Sequence, residues 1–228
     1  MTFRRILTMA VLVGIGAATA ASAQGYFASK ADERAGRVTP GRAPEGGGPF
    51  INAGSDTCPG AAIPNPGAAT FNDSDTTVGK NNTVTSVQAG CSDYTTNAGP
   101  DVVYQFDLGP LGARGTPLTI TVTPTTTTYD PSVYVLSTAG VGCPAGTGVA
   151  ATNCVRGSDS TLANQSETIT DAETDAIAAG HYFLFVDSFY SAAGACGGQG
   201  GILCGSGAYN LAFGTGPFPV ELIDFSVQ

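Results

Sequence analysis

Two stretches decide the fold: Leu118-Thr119-Ile120-Thr121-Val122 and Tyr182-Phe183-Leu184-Phe185-Val186. In the first, apolar residues alternate with threonine, the period-two pattern of a strand with one buried and one wet face. In the second every residue is apolar, which places it at the centre of a sheet or under cover on both faces. Working outward, strand-like runs recur at Thr83–Gln88, Val102–Leu108, Pro117–Thr123, Ser132–Ser137, Glu167–Thr170, His181–Asp187 and Ala208–Phe213. Gly, Pro, Asn and Asp punctuate them. Short strands at this spacing predict an all-β fold, an antiparallel β-sandwich or jelly roll. Asp171–Ala179 is the one helical window, short enough for a single turn. Composition agrees, since 32 Gly, 14 Pro and only 12% charged residues do not suit a helical domain.

The flanks differ from this body. Arg4 and Arg5, an apolar run from Ile6 to Ala20, and the small residues Ala21-Ser22-Ala23 read as a secretory signal peptide over residues 1–23. The run is too short and too rich in Gly and Ala for a membrane span, and no second one follows. Residues 24–54 are rich in Gly, Pro and Arg and read as a flexible linker or arm. The β-sandwich is expected over 55–216. Residues 217–228, Pro-Phe-Pro-Val-Glu-Leu-Ile-Asp-Phe-Ser-Val-Gln, follow a Gly-Thr-Gly hinge as one further strand. That tail docks on its own sandwich or adds to a neighbour's edge, the second route giving self-association.

Charge narrows the partners. The chain carries 18 acids against 9 bases, a net charge of -9. Losing Arg4 and Arg5 leaves 7 bases, or -11, and beyond Ala43 only Lys80, Arg114 and Arg156 remain. Such a surface is no nucleic-acid binder; it repels anionic polymers and favours divalent cations.

All six cysteines lie beyond the leader: Cys58, Cys91, Cys143, Cys154, Cys196 and Cys204. An even count in an exported chain reads as three disulfides. The sequential pairing, 58–91, 143–154 and 196–204, is favoured among the alternatives because short loops close easily. Neither C-x-x-C nor C-x-x-C-H occurs, which argues against zinc or haem attachment.

Several runs, taken in order, resemble the bacterial pre-peptidase C-terminal domain family and its cysteine-containing relatives. They are Asp56-Thr57-Cys58, Cys91, Gly99-Pro-Asp-Val-Val-Tyr-Gln-Phe106, Tyr129-Asp-Pro-Ser-Val-Tyr-Val-Leu136, the Cys143 and Cys154 pair, Ala179-Gly-His-Tyr-Phe-Leu-Phe-Val-Asp187 and Gly207-Ala-Tyr-Asn-Leu211. The Pro219-Val-Glu-Leu-Ile-Asp-Phe225 tail is similar to a segment that often follows such domains. The resemblance implies a secreted, non-catalytic jelly-roll module, with relatives in bacterial collagenases that bind calcium and collagen.

Calcium is the sharpest chemical expectation. A hard cation needs clustered oxygens. Asp56 lies two residues before Cys58 and Asp93 two after Cys91. A 58–91 bridge would hold these carboxylates near each other, with Asp101 at the mouth of the next strand as a third ligand. The resemblance points the same way, because calcium-binding relatives take ligands from the N-terminal lead-in and the loop before this strand. The alternative is that all three cap turns and face water.

Catalysis has thin support. His181 is the only histidine, it opens an apolar strand, and neither G-x-S-x-G nor H-E-x-x-H occurs. The expectation is an exported, non-catalytic binding or surface module for an extracellular polymer or protein, secreted, at the cell surface or periplasmic. The alternatives are a self-associating structural protein and a secreted hydrolase.

Overall fold

The computed structural model describes residues 54–63, 70–111, 118–139, 142–196 and 202–214. The leader, most of the arm and the 217–228 tail lie outside the described residues. The strands are β1 Ala61–Ala62, β2 Phe71–Thr76, β3 Val84–Val87, β4 Val102–Leu108, β5 Thr119–Pro124, β6 Ser132–Ser137, β7 Val149–Ala151, β8 Cys154–Ser158, β9 Glu167–Ile169, β10 Gly180–Asp187 and β11 Ala208–Gly214. One short helix, α1, spans Asp171–Asp175. The Glu173 carboxylate closes its first turn, accepting from the Thr170 N–H and hydroxyl.

Two sheets form the sandwich. One runs β1-β4-β10-β6-β8 and the other β2-β11-β5-β9. All pairings within them are antiparallel except β1 with β4. β5 alternates buried and half-buried residues, as its threonine pattern predicts. Its Ile120 and Val122 meet Tyr104, Val133, Val135 and Leu184 from the opposite sheet in one buried cluster.

β10 lies at the centre of the five-stranded sheet, between β4 and β6. Both of its faces are covered, which explains its unbroken apolar run. Leu184 and Val186 face the sandwich core. Phe183 and Phe185 point outward into a second cluster with Val84, Val87, Val103, Tyr134 and Leu136. There Phe185 stacks on Tyr134 with ring centroids 5.5 Å apart. The cover is a third layer, a two-stranded parallel ribbon of β3 and β7. Burying each of these phenylalanines is worth about 1.5–3 kcal/mol, which only the ribbon makes available.

The disulfides correct two of the expected pairings. The bridges are Cys58–Cys143, Cys91–Cys154 and Cys196–Cys204; only the last matches the sequential pattern. The ribbon is the reason. Val87 pairs with Ala151 in parallel register, so both chains leave in one direction and bring Cys91 beside Cys154. Gly148 and Val149 donate backbone bonds to Asn82 and Thr83, while Asn81 binds Asp56, and this joins the Cys58 and Cys143 segments. Long-range packing therefore outweighs the ease of closing short loops. Three disulfides are compatible with an extracellular or periplasmic protein. Among the described residues no helix is long and apolar enough to cross a membrane.

Candidate functional site

The three expected calcium ligands divide between two places. Asp101, just ahead of β4, is wholly buried. Its Oδ2 accepts from the Thr83 N–H at 2.7 Å and the Val84 N–H at 2.9 Å. Its Oδ1 is buried and, among the described residues, has no hydrogen-bond partner. Burial outweighs those two bonds and pushes the carboxyl up to about 6, with the Asp56 charge adding in the same direction. Asp56 accepts from the Asn81 N–H at 2.6 Å and its Nδ2 at 2.7 Å, and the Asn81 carbonyl accepts from the Asp101 N–H. Asn81 thus joins the two aspartates. Asp56, Asn81, Thr83 and Pro144 line a depression of about 300 Å³.

Asp93 lies elsewhere, on a separate cleft beside β8, where its Oδ2 meets the Asp159 N–H at 3.4 Å. The reading that brought it to Asp56 depended on a 58–91 bridge, and Cys91 is joined to Cys154 instead. Among the described residues, no three His, Cys, Asp or Glu side chains converge as a metal site.

Sequence reasoning missed a buried polar end of the sandwich. Asp187, the last residue of β10, is wholly buried. Its carboxylate accepts from the Tyr134 hydroxyl and the Ser188 N–H. Burial drives its pKa well above the usual carboxylate range, and the charges of Asp101 and Asp159 push the same way. The Tyr129 hydroxyl donates to the Asp187 carbonyl at 2.7 Å, and Asn97 Oδ1 accepts from Ser132, which pairs with Asp187 across the strands. An aspartate ending an otherwise apolar central strand was the available signal. A second network crosses the core itself: the Tyr104 hydroxyl donates to Asp73 Oδ2 at 2.8 Å and lies 2.9 Å from the Tyr209 hydroxyl.

His181 stands at the exposed start of β10, with Nδ1 2.8 Å from the carboxylate of Asp107 on β4. A nucleophile–histidine–acid relay also needs a hydroxyl or thiol on the second ring nitrogen. Among the described residues none bonds there. The helical window expected at Asp171–Ala179 holds α1, with the acids Asp171 and Glu173 in its first turn.

The outer face of the four-stranded sheet has a distinct chemistry. β2 presents Asn72, Ser74 and Thr76; β5 presents Thr119, Thr121 and Thr123; β9 adds Thr168 and β11 adds Asn210. In register, Asn72, Ala212, Thr121 and Thr168 form one row, and Ser74, Asn210 and Thr123 the next. The acids of these strands, Asp73, Asp75 and Glu167, all point inward and are buried. No charged side chain stands on this face among the described residues.

Comparison with known proteins finds no matching family model, no matching curated protein and no matching solved structure.

Proposed function

We propose that the protein is an exported, non-catalytic β-sandwich module that holds an extracellular polymer against the open face of its four-stranded sheet. One observation carries this reading: in a chain of net charge -9, that face presents hydroxyls and amides and, among the described residues, no charge. Such groups both donate and accept hydrogen bonds without a desolvated charge to compensate. They suit a neutral polymer rich in hydroxyl or amide groups, while the acidic body disfavours anionic ones. The leader-like residues 1–23, the three disulfides and the resemblance to pre-peptidase C-terminal domains support export and a non-catalytic role.

The test is retention of the exported protein on insoluble cellulose, chitin, peptidoglycan and collagen, alongside Thr121→Arg and Thr123→Arg. Retention on at least one polymer, insensitive to salt and lost in both variants, is expected. Retention on none, or retention that survives both arginines, would overturn the reading.

A second reading keeps calcium, now at the Asp56–Asn81–Asp101 end alone. The observation favouring it is the buried Asp101 Oδ1, which has no partner among the described residues and whose charge a bound cation would neutralise. Millimolar calcium should then raise the melting temperature of the parent protein and not that of Asp101→Asn.

A further inference from the structure

The flank where β8 and β9, edge strands of the two sheets, approach each other opens into a polar cleft of about 410 Å³. That is within the ~300–1,000 Å³ range of small-molecule sites. Arg156 on β8 stands in it. It pairs with Val135, whose side chain faces the sandwich core, so Arg156 points to the same side, into the gap between the sheets. Asp93 and Glu173 are also in the lining, with the hydroxyls of Ser92, Ser160 and Thr170.

Two facts set this arginine apart. Its Nε is buried and, among the described residues, has no acceptor. It also makes no ion pair among the described residues, although the chain has twice as many acids as bases and two of the acids share its cleft. Glu173 is held by Thr170 at the start of α1, and Asp93 by the Asp159 N–H. The cleft is also braced. The Cys91–Cys154 bridge ties the loop carrying Ser92 and Asp93 to β8 two residues before Arg156.

A guanidinium that no neighbouring acid pairs calls for an anion, and a carboxylate, with two parallel acceptor oxygens, is its natural complement. A simple anion meets opposition from Asp93 and Glu173, and from the negative field of the whole chain. A ligand that adds an ammonium group removes that conflict. We propose that this cleft binds a small zwitterion of the amino-acid or short-peptide class, its carboxylate on Arg156 and its ammonium between Asp93 and Glu173.

Titration calorimetry of the exported protein with glycine and glycylglycine tests this. N-acetylglycine supplies the carboxylate alone, glycinamide the ammonium alone, and cellobiose a neutral hydroxyl-rich control. Saturable binding of a zwitterion, at least tenfold tighter than either single-charge probe, is expected. Arg156→Lys, which keeps the charge and loses the fork, should weaken it at least tenfold. Asp93→Asn, at an exposed position, should narrow the gap between glycine and N-acetylglycine even if Arg156 variants fold poorly. Equal binding of N-acetylglycine would make this a plain anion site, preference for cellobiose a sugar site, and no binding an idle cleft. Each of these results would overturn the proposal.

Discussion

Replacing Asp101 by asparagine should stabilise the protein at neutral pH and change nothing in acid. In the folded chain this carboxyl is buried and keeps its proton up to about pH 6, whereas its ordinary value is 3.8. Between those values the native state binds more protons than the unfolded state, so stability falls as pH rises through the window. The shift of about two units, at about 1.4 kcal/mol each, corresponds to roughly 3 kcal/mol lost between pH 3.8 and pH 6. Asparagine is neutral throughout, and its carbonyl oxygen can keep the bonds from Thr83 and Val84. Asp187 is shifted in the same direction and lowers the stability of both proteins as pH rises above its ordinary value; the Asp101 charge contributes to that shift, so the variant eases it too and the Asp101 share is the lower bound of the difference. Urea unfolding in EDTA at about pH 3.5, 5, 6 and 7.5 measures it. The variant should match the parent at the acid end and exceed it by roughly 3 kcal/mol at about pH 7.5. A constant offset at every pH, or a less stable variant at the neutral end, would refute the reasoning.

Non-reducing peptide mapping should recover 58–143 and 91–154 rather than 58–91 and 143–154. Loop closure ranks the bridges: the 63-residue separation of Cys91–Cys154 is worth about 4 kcal/mol and the 8-residue one of Cys196–Cys204 about 2.5. Paired alanine variants compared in denaturant check that order, and the reverse would show that packing dominates. Tyr104→Phe removes the hydroxyl shared by Asp73 and Tyr209 and should cost about 1–3 kcal/mol. An unchanged melting temperature would mean that the core network adds nothing to stability.

Where side-chain alternation reports burial, the sequence is readable. β5 and β10 stand where their patterns put them, and the unbroken Tyr182–Val186 run correctly signals cover on both sides. β2 is hidden because two of its three inward positions are Asp73 and Asp75, so its buried face reads as polar. β7 and β8 are hidden because they are short and rest on partners distant in the chain, β3 and β6. The same non-local pairing misdirects the disulfide reading and, through it, the joining of Asp93 to Asp56. Asp101 is visible as a residue of interest, but its burial is not, because that depends on the ribbon closing over it. Arg156 has no local signal: it stands out only because, among the described residues, its buried Nε has no acceptor, which the packed structure alone can show.

The inward acids of the four-stranded sheet have a consequence for association. β2 and β9 are its edges, and among the described residues each has a neighbour on one side only. A flat edge carrying Thr, Ser and Asn outside and apolar residues inside would be an effective template for another strand. Asp73 and Asp75 on β2 and Glu167 on β9 break that inner stripe at both edges. A second molecule adding a strand would have to bury its own side chains against carboxylates, while the described residues of the outer face carry no charge. Asp75→Val separates the two roles. Burial holds the Asp75 carboxyl above its ordinary value, while bonds from the Thr76 and Gly54 N–H groups and the Lys80 charge favour it, so valine trades a desolvation cost for those lost contacts and the monomer's stability at neutral pH should change by no more than about 1–2 kcal/mol. The inner stripe of β2 would then run from Phe71 through Asp73 to a valine, with its end newly apolar at the sheet edge. Light scattering over a concentration series should show more association than in the parent at each concentration, with the increase in β-content that strand addition produces. If Asp75→Val associates no more than the parent at any concentration, the inward acids are not what protects the edge.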